Sequence, residues 1–155
     1  PDLPWRVKKI LAETGLPASR LELELTESLA TNDAALRTIA ELRAQGRPVF
    51  VDFTARWCVT CQVNKRVALN REEVAKALAD RGVVALKADW TNHDPRITAA
   101  LAELGRNALP VYALYAPGQA QPKLLPEVLT ASLVVDEISK LPAAKQAAVA
   151  NTNPR

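Results

Sequence analysis

The stretch VFVDFTARWCVTCQVNK, Val49–Lys65, contains the two cysteines of this 155-residue chain, Cys58 and Cys61. The residues before them are β-branched and aromatic and follow a proline, a pattern typical of a strand that is buried on both faces. A helix is expected from about Cys58 to Leu69. The two cysteines therefore stand where a buried strand gives way to a helix.

A C-x-x-C pair at the start of a helix has a specific chemical use. The amides of the first helical turn favour negative charge at Cys58, so this thiol is expected to ionise more readily than a free cysteine, whose pKa is about 8.5. Cys61, one helical turn further on, is expected to lie beside Cys58 but deeper. The pattern predicts that Cys58 attacks a partner's disulfide and that Cys61 resolves the mixed disulfide.

Two other interpretations of the cysteines stay open at this point. A zinc site needs four ligands, and beside the two cysteines the sequence offers only His93, in a Thr-Asn-His-Asp turn. Two separate thiols buried in the core are the other alternative, because free cysteine is often buried. His93 itself is expected to be an exposed turn residue.

Positively charged residues flank the pair in the sequence. Arg56 precedes Cys58, and Lys65 and Arg66 lie one turn beyond Cys61. These three cations are expected to stabilise a thiolate and to attract an acidic partner surface.

Asp52 stands in the middle of the otherwise apolar strand. A carboxyl group buried behind the dithiol is expected to pass a proton to or from Cys61 during exchange. The alternative is a carboxylate at a strand end that reaches water.

The rest of the chain alternates between strand and helix patterns. Strict alternation of Leu and Glu in RLELELT predicts a strand, and later apolar runs bounded by Gly or Pro predict others. Such an order demands parallel pairing with right-handed crossovers, and a final hairpin adds an antiparallel strand. We therefore expect an α/β fold, with a mixed central sheet and helices on both faces. The predicted strands are residues 20–26, 48–55, 83–90, 110–116 and 123–125, and the predicted helices are residues 5–14, 33–45, 58–69, 72–80, 94–104 and 130–141.

Composition indicates a soluble globular chain with one domain. Apolar residues make up 48% and charged residues 24%, and the formal net charge is +3. The charge is spread without a basic block, so neither nucleic acid nor an anionic membrane is expected as a partner. No apolar run reaches the roughly 20 residues of a membrane-spanning helix, and the start, PDLPWRVKKILAETG, lacks the apolar core of a signal peptide. Direct insertion of this fragment into a membrane is therefore not expected.

Three segments resemble one family: PVFVDFTARWCVTCQVNK, VVALKADWTNHDPRITAALAELGRNALPVYALY and LPEVLTASLVVDEI. Together they are similar to the thioredoxin-like C-terminal domain of DsbD-type thiol:disulfide interchange proteins, over roughly residues 46–141. The resemblance implies a thioredoxin fold on the periplasmic side of a bacterial inner membrane. It also implies that the domain takes electrons from a membrane-embedded domain and passes them to a second periplasmic domain, in disulfide reduction and cytochrome c biogenesis.

On this resemblance, Cys58 and Cys61 correspond to the family's attacking and resolving thiols, and Asp52 to its buried acid. These three are the predicted catalytic residues. No metal and no cofactor is expected beyond the redox-active Cys58–Cys61 disulfide. The expected partners are protein thiols and disulfides, carried by other domains of a DsbD-type membrane reductase.

Pro110 corresponds to the family's cis-proline, whose neighbouring backbone docks the partner's chain against the dithiol; a cis bond is accessible there because X-Pro makes one at modest cost. Trp57, Leu109 and Pro110 form the predicted substrate-binding set. Leu109 stands where the family usually has Val. Arg56 and Lys65 stand where it usually has acidic residues, so a more acidic attacking thiol is expected here.

The first third resembles a different family. Residues 10–46, ILAETGLPASRLELELTESLATNDAALRTIAELRAQG, are similar to an internal segment of EAL-type cyclic-di-GMP phosphodiesterases, in which the positions of Glu24 and Glu27 serve metal binding and the adjacent loop. The E-A-L signature and the D-D-F-G strand of that family are absent, so phosphodiesterase activity is not expected. Instead, strand 20–26 and helix 33–45 are expected to replace the first β-α unit of a thioredoxin domain. The chain is thus divided into an N-terminal segment, 1–46, a thioredoxin-like domain, 47–142, and a disordered tail, 143–155.

The sequence therefore predicts a thiol:disulfide oxidoreductase, an enzyme of the protein-disulfide reductase class. It is expected to pass electrons to protein disulfides by dithiol–disulfide exchange. The alternative is a redox-inactive thioredoxin-like module that binds proteins without turnover.

Overall fold

The computed structural model describes residues 23–25 and 34–142, and for the helix and strand residues before Ile39 it describes the backbone alone. The predicted helix at residues 5–14, the ends of the predicted strand at 20–26 and the predicted tail at 143–155 lie outside the described residues. The strands are β1 (Leu23–Leu25), β2 (Val49–Thr54), β3 (Val84–Asp89), β4 (Val111–Tyr115) and β5 (Lys123–Leu124). The helices are α1 (Ala34–Ala44), α2 (Val59–Asn64), α3 (Glu72–Asp80), α4 (Pro95–Glu103) and α5 (Ala131–Ser139), and a π-helical turn, Lys65–Leu69, follows α2 directly.

The described part of the chain forms one five-stranded sheet in the order β1-β3-β2-β4-β5. β3 pairs in parallel with β1 and β2, and β4 pairs antiparallel with β2 and β5. The sheet is therefore mixed, as the sequence predicts, with β2 at its centre. Its register sets Asp52 of β2 opposite Lys87 of β3 on one side and Tyr112 of β4 on the other.

β2 is buried along its whole length because helices cover both faces of the sheet. On one face Phe50 stacks on Tyr112, with ring centroids 6.3 Å apart, and this pair packs against buried residues of α3 and α5. On the other face Val51 and Phe53 pack against buried residues of α4. The two cores hold β2 rigidly, and the chain leaves β2 directly into the C-x-x-C segment.

Several helix boundaries follow from the local sequence. α4 begins after Asp94, whose carboxylate accepts a hydrogen bond from the Arg96 N–H at 2.8 Å, and Pro95 occupies its first position, as predicted. Gly46, just beyond α1, has φ of +70°, a conformation that glycine adopts at little cost. From α1 onward, the bounds of the described elements agree with the predicted ones to within about two residues at each end. None of the helices within residues 34–142 is long and apolar enough to cross a bilayer.

The predicted helix at residues 58–69 differs in one respect. It consists of α2 and the π-helical turn, in which the Asn70 N–H donates to the Lys65 carbonyl at 2.8 Å. Asn64, the last residue of α2, and Ala68, within the turn, are both buried, at 1% and 0% exposure. A search for a 3.6-residue period does not reveal such a turn, and π-helical turns often lie beside functional sites.

Candidate active site

Cys58 and Cys61 form a disulfide at the start of α2, with an S–S distance of 2.07 Å and a Cα–Cα distance of 5.3 Å. Cys58 is the residue that caps α2, and its Sγ accepts a hydrogen bond from the Cys61 N–H at 3.2 Å. The sulfur therefore lies where the first amides of the helix point, an environment that favours a thiolate when the bond is reduced. The alternative of two separate core thiols does not fit this bond.

The two sulfur-bearing residues differ in burial. Cys58 retains 7% exposure, whereas Cys61 retains 1%. Cys58 is thus the residue that a partner reaches first. This difference supports the predicted order in which Cys58 attacks and Cys61 resolves, which stays a prediction.

The Leu109–Pro110 peptide bond is cis, as the resemblance implied. Leu109 packs against the small cluster that Ala55, Cys58 and Cys61 form, and Pro110 is buried beside it at the start of β4. The loop before β4 therefore lies against the disulfide. Its predicted role in docking a partner's chain remains a prediction.

Asp52 is 5% exposed, which excludes the alternative of a strand-end carboxylate that reaches water. The negative charge of Asp52 helps to raise the pKa of Tyr112 to about 12; burial of the hydroxyl is the largest cause, and the hydrogen bond from Asn64 opposes it. Lys87, which the sequence analysis did not single out, is the register partner of Asp52 in β3 and shares its face of the sheet. An acid of the dithiol strand and a cation of the neighbouring strand thus lie on the same face of the sheet.

Thr91, in the segment after β3, accepts hydrogen bonds from the two residues that precede Cys58. The Arg56 N–H donates to the Thr91 hydroxyl at 3.0 Å, and the Trp57 indole N–H donates to the Thr91 carbonyl at 3.1 Å. The Thr91 N–H and hydroxyl in turn donate to the Asp89 carboxylate. Burial raises the pKa of Asp89, but these hydrogen bonds, with smaller contributions from the charges of Lys87 and Arg56, lower it overall.

His93 is an exposed turn residue, as predicted, but it has a structural partner that the prediction missed. Its ring stacks on Trp57, with centroids 5.5 Å apart and planes at 10°, and approaches Trp90 at 4.6 Å. His93 adopts a φ of +56° in this position. The three aromatic rings fix the orientation of Trp57 next to the disulfide. The spacing of Trp90 and His93 in the A-D-W-T-N-H segment was the only hint of this cluster.

Asn64 is a buried polar residue that the sequence analysis did not identify. Its side-chain amide donates to the Tyr112 hydroxyl at 2.9 Å and to the Glu127 carbonyl at 2.7 Å, and its Oδ1 accepts the Leu129 N–H at 3.1 Å. These contacts join the dithiol helix to β4 and to the loop before α5. The available signal was position: Asn64 follows Cys61 at a spacing that shares its buried helix face.

The cations that flank the cysteines occupy different settings. Arg56 is exposed beside the dithiol, while Lys65 and Arg66 begin the π-helical turn beyond α2. Their predicted effect on the acidity of Cys58 stays a prediction. Among residues 23–25 and 34–142, no three His, Cys, Asp or Glu side chains come together in a way that could hold a metal ion.

The N-terminal segment is described only in part. β1 pairs in parallel with β3, and Glu24 lies in β1, whereas Glu27 lies outside the described residues. The resemblance of residues 10–46 to phosphodiesterases and the division of the chain at residue 46 both stay predictions.

Comparison with known proteins identifies relatives of this chain. A family described as thioredoxin-like matches residues 30–117, a range that contains α1, β2, the disulfide and Pro110. The thiol:disulfide interchange protein DsbD of Yersinia enterocolitica is 32% identical over 109 residues, which are 70% of this chain and 18% of that protein. DsbD of Escherichia coli K12 is 36% identical over 95 residues, 58% of this chain and 16% of that protein. The chain thus spans less than a fifth of the length of these relatives.

Two solved structures are similar to the described fold. The C-terminal domain of Neisseria meningitidis DsbD in the reduced form matches with a TM-score of 0.58 and 25% identity, over 70% of this chain and 95% of that domain. A thioredoxin from Thermus thermophilus matches with a TM-score of 0.55 and 19% identity, over 67% of this chain and 80% of that one, which bears on the fold alone. The structural similarity therefore extends over nearly the whole of a DsbD C-terminal domain.

Proposed function

Since the chain belongs to the thioredoxin-like family, we propose that it is a thiol:disulfide oxidoreductase that passes electrons to protein disulfides through Cys58 and Cys61. The observation that carries this proposal is the disulfide itself, formed at the first turn of α2 against the Leu109–Pro110 loop. A disulfide between residues three apart closes too short a loop to contribute much to folding, so a redox role accounts for it better than a structural one.

The proposed reaction begins from the reduced dithiol. The Cys58 thiolate attacks one sulfur of a partner's disulfide, forming a bond to that sulfur while the partner's second sulfur leaves as a thiolate. Cys61 then loses its proton and attacks the Cys58 sulfur, and the partner's first sulfur leaves in turn. The partner gains two electrons and leaves with two thiolates, which take up protons from water, and the Cys58–Cys61 disulfide is restored.

The buried acid is assigned to the second of these steps. Cys61 is almost fully buried, so its proton has no direct route to water. Asp52 is buried in the strand that leads into the dithiol, and we infer that its carboxylate accepts this proton. Lys87, its register partner, would stabilise the carboxylate before transfer.

Docking is assigned to three residues around Cys58. Trp57 is held by Thr91 and His93 with half of its surface exposed, and Leu109, which precedes Pro110, packs against the disulfide. We infer that an extended partner chain binds across Trp57 and the Pro110 loop and there meets the outer sulfur, that of Cys58. With this arrangement, we expect Cys58 to react only with partner disulfides that are carried on flexible or protruding segments.

The setting is proposed from the relatives. DsbD similarity suggests a periplasmic domain of an inner-membrane protein, and its partners would then be other domains of the same reductase, in pathways that include cytochrome c biogenesis. The direction of electron flow depends on the potential of the pair, because related dithiols span about −270 to −120 mV. Equilibration of the full chain with glutathione buffers measures that potential.

The deciding experiment uses a matched pair of variants, Cys58→Ser and Cys61→Ser. After reduction, Cys61→Ser should form a stable mixed disulfide with a protein disulfide, whereas Cys58→Ser should form far less because its remaining thiol is buried. The wild-type chain should reduce the same substrate and regain its own disulfide. If the folded wild-type chain resists reduction, or if its reduced thiols leave protein disulfides intact, the redox-inactive binding module is the better interpretation.

A further inference from the structure

Exposed large apolar side chains are concentrated on the dithiol helix and on the segments next to it. Within residues 39–142, the five large apolar side chains that the structure leaves exposed are Trp57, Val59, Val63, Val67 and Val128, with exposures from 50% to 76%. We call these five residues the valine surface. Scattered exposed apolar residues are ordinary, but their collection on one surface marks a site of interaction.

The geometry of the dithiol helix explains how the surface is formed. Val59, Val63 and Val67 recur at every fourth position along α2 and the π-helical turn, so they share one side of the helix. Val128 belongs to the loop that Asn64 binds through the Glu127 carbonyl and the Leu129 N–H, which brings it beside the same helix. The surface therefore extends from the disulfide along the whole helix, because Val59 lies between the two cysteines.

Exposed valines are a poor choice for the stability of this helix. Valine loses side-chain freedom in a helix and has a lower helix propensity than the polar residues that usually cover exposed positions. At 50% to 76% exposure these side chains also gain little from burial. Their presence is accounted for if another chain covers them during function.

The charge around the valine surface selects what can cover it. Residues 55–71 contain no Asp or Glu, and they contain four cations: Arg56, Lys65, Arg66 and Arg71. Two of these cations have carboxylates near them, because Glu72 and Glu73 follow Arg71 and the charge of Arg56 acts on Asp89. Lys65 and Arg66 lie between Val63 and Val67 in the sequence. The carboxylate nearest in the sequence to a residue of the surface is Glu127, beside Val128. The rim is therefore positive on the helix side, and it complements a negatively charged partner.

We propose that the valine surface docks an acidic polypeptide segment with apolar side chains, carried by the protein whose disulfide exchanges with Cys58–Cys61. This inference rests on the proposed function, and it adds the chemical class of the partner. A protein fits better than an anionic membrane because the surface begins at Val59, between the two cysteines. A membrane that covered Val59 and Trp57 would also shut Cys58 off from its substrate.

The test measures how fast reduced Cys61→Ser reacts with three synthetic peptides. Each peptide carries one cysteine as a mixed disulfide with thionitrobenzoate. One peptide has Glu and Leu around the cysteine, the second has Lys in place of Glu, and the third has Ser in place of Leu. The Cys58 thiolate bonds to the peptide sulfur, the peptide–thionitrobenzoate bond breaks, and thionitrobenzoate leaves as a coloured thiolate that reports the rate.

We expect the Glu/Leu peptide to react about tenfold faster than either of the others, with an advantage over the Lys peptide that shrinks as salt is added. Rates are compared as the ratio to the rate with a small disulfide, dithiobis(nitrobenzoate). In the background of Cys61→Ser, Val63→Ser combined with Val67→Ser should lower this ratio about fivefold. Arg66→Glu should lower it for the Glu/Leu peptide and raise it for the Lys peptide.

The matched control is Arg47→Glu, the same charge change at an exposed position before β2, at the end of that strand remote from the dithiol. It should leave the ratio unchanged. Equal rates for the three peptides, or equal effects of Arg66→Glu and Arg47→Glu, would overturn the proposal. So would binding of the wild-type chain to phosphatidylglycerol vesicles that the two valine substitutions abolish while the peptide rates stay equal. Failure of the redox function itself is separate, because the thiols would then not react with the small disulfide either.

Discussion

The side-chain amide of Asn64 donates a hydrogen bond to the hydroxyl of Tyr112 over 2.9 Å. This contact joins the helix that begins at the disulfide to β4, the strand that follows Pro110. Asn64 also binds the loop at Glu127 and Leu129, so one buried side chain connects three segments that are remote in sequence. Asn64 therefore adds a buried polar link between the dithiol helix and the strand after Pro110, beside the direct packing of Leu109 on the disulfide.

Replacing Asn64 by Ala should lower the free energy of unfolding by about 3 kcal/mol, because the Glu127 carbonyl, the Leu129 N–H and the Tyr112 hydroxyl lose a buried partner. Urea unfolding of the oxidised chain measures the change. Asn70→Ala is the matched control, since Asn70 is exposed and should cost about 0.5 kcal/mol or less. Equal losses for the two variants would show that the Asn64 contacts contribute nothing.

The alkaline limit of stability should be governed by Tyr112. Burial, with the charge of Asp52, raises its pKa to about 12 from an ordinary value of 10.0. The folded state therefore holds its proton more tightly than the unfolded state. The resulting stability is complete below about pH 10 and falls by roughly 2 kcal/mol as the pH rises to about 12. The free energy of unfolding measured across this pH range, together with phenolate absorbance, checks that stability falls as Tyr112 ionises.

The variant Tyr112→Phe should remove much of this alkaline loss. The chain has two tyrosines, and burial also raises the pKa of the second, Tyr115, against the charge of Arg43, which lowers it. In Tyr112→Phe the remaining phenolate signal thus belongs to Tyr115. Ionisation of both tyrosines near pH 10 in the folded wild-type chain would contradict the prediction.

Much of the fold was predictable because its determinants are local. The apolar run at β2, the Pro95 and Asp94 start of α4 and the glycine after α1 each specify an element within a few residues of sequence. The parallel pairing then follows from the alternation of strands and helices. The π-helical turn was not predictable in this way, since its sequence is compatible with an ordinary α-helix.

The residues of the candidate site divide in the same way, into those with local signals in the sequence and those with distant partners. Cys58, Cys61 and Asp52 were identified because a spacing or a misplaced charge is visible in the sequence itself. Asn64 was missed because its partners lie 48, 63 and 65 residues away. The stack of His93 on Trp57 was missed for the same reason. The sequence predicts that a turn residue is exposed, and it does not show which distant ring the fold places against it.

Asp52→Asn should slow the second step of exchange, in which Cys61 attacks the mixed disulfide. Asparagine keeps the shape of the side chain but cannot accept the Cys61 proton, so the rate should fall about a hundredfold near neutral pH. The difference between the variant and wild-type rates should become smaller at alkaline pH, because hydroxide then removes the Cys61 proton directly. Stopped-flow release of a partner thiol measures this step.

Asp136→Asn is the matched control for Asp52, because Asp136 is an exposed carboxylate on α5. It should leave the rate of release unchanged at every pH. A rate of release in Asp52→Asn that equals the wild-type rate across the pH range would remove Asp52 from the mechanism. If the rate of release in Asp52→Asn were lower by the same factor at every pH, Asp52 would have a structural role instead.

Lys65→Glu should raise the pKa of the Cys58 thiol, because it replaces a positive charge at the end of the dithiol helix, which favours the thiolate, by a negative one. The pH dependence of iodoacetamide alkylation in reduced Cys61→Ser chains reports this pKa. Arg47→Glu again serves as the control for the change in net charge. The predicted acidity of Cys58 would be wrong if both substitutions moved the alkylation profile equally.

Removal of residues 1–46 should abolish cooperative unfolding. β1 pairs along its length with β3, and Ile39 and Leu42 of α1 pack against the core under β2. Arg43 lies over the ring of Tyr115, 4.9 Å from its centroid, and donates to the carbonyls of Gln119 and Ala120. Without these contacts the edge of β3 and the part of the apolar face that α1 covers are exposed, a loss comparable with the whole stability of a small domain.

Arg43→Ala in the full chain separates the loss of individual contacts from the loss of the whole β-α unit. It should cost about 1 kcal/mol and leave the transition sharp, because the sheet edge and the apolar face stay covered. The 47–155 fragment should instead melt over a broad range, with far-ultraviolet and near-ultraviolet signals that no longer coincide. If that fragment melts as sharply as the full chain and at the same temperature, the first β-α unit is an appendage and the thioredoxin-like domain is complete without it.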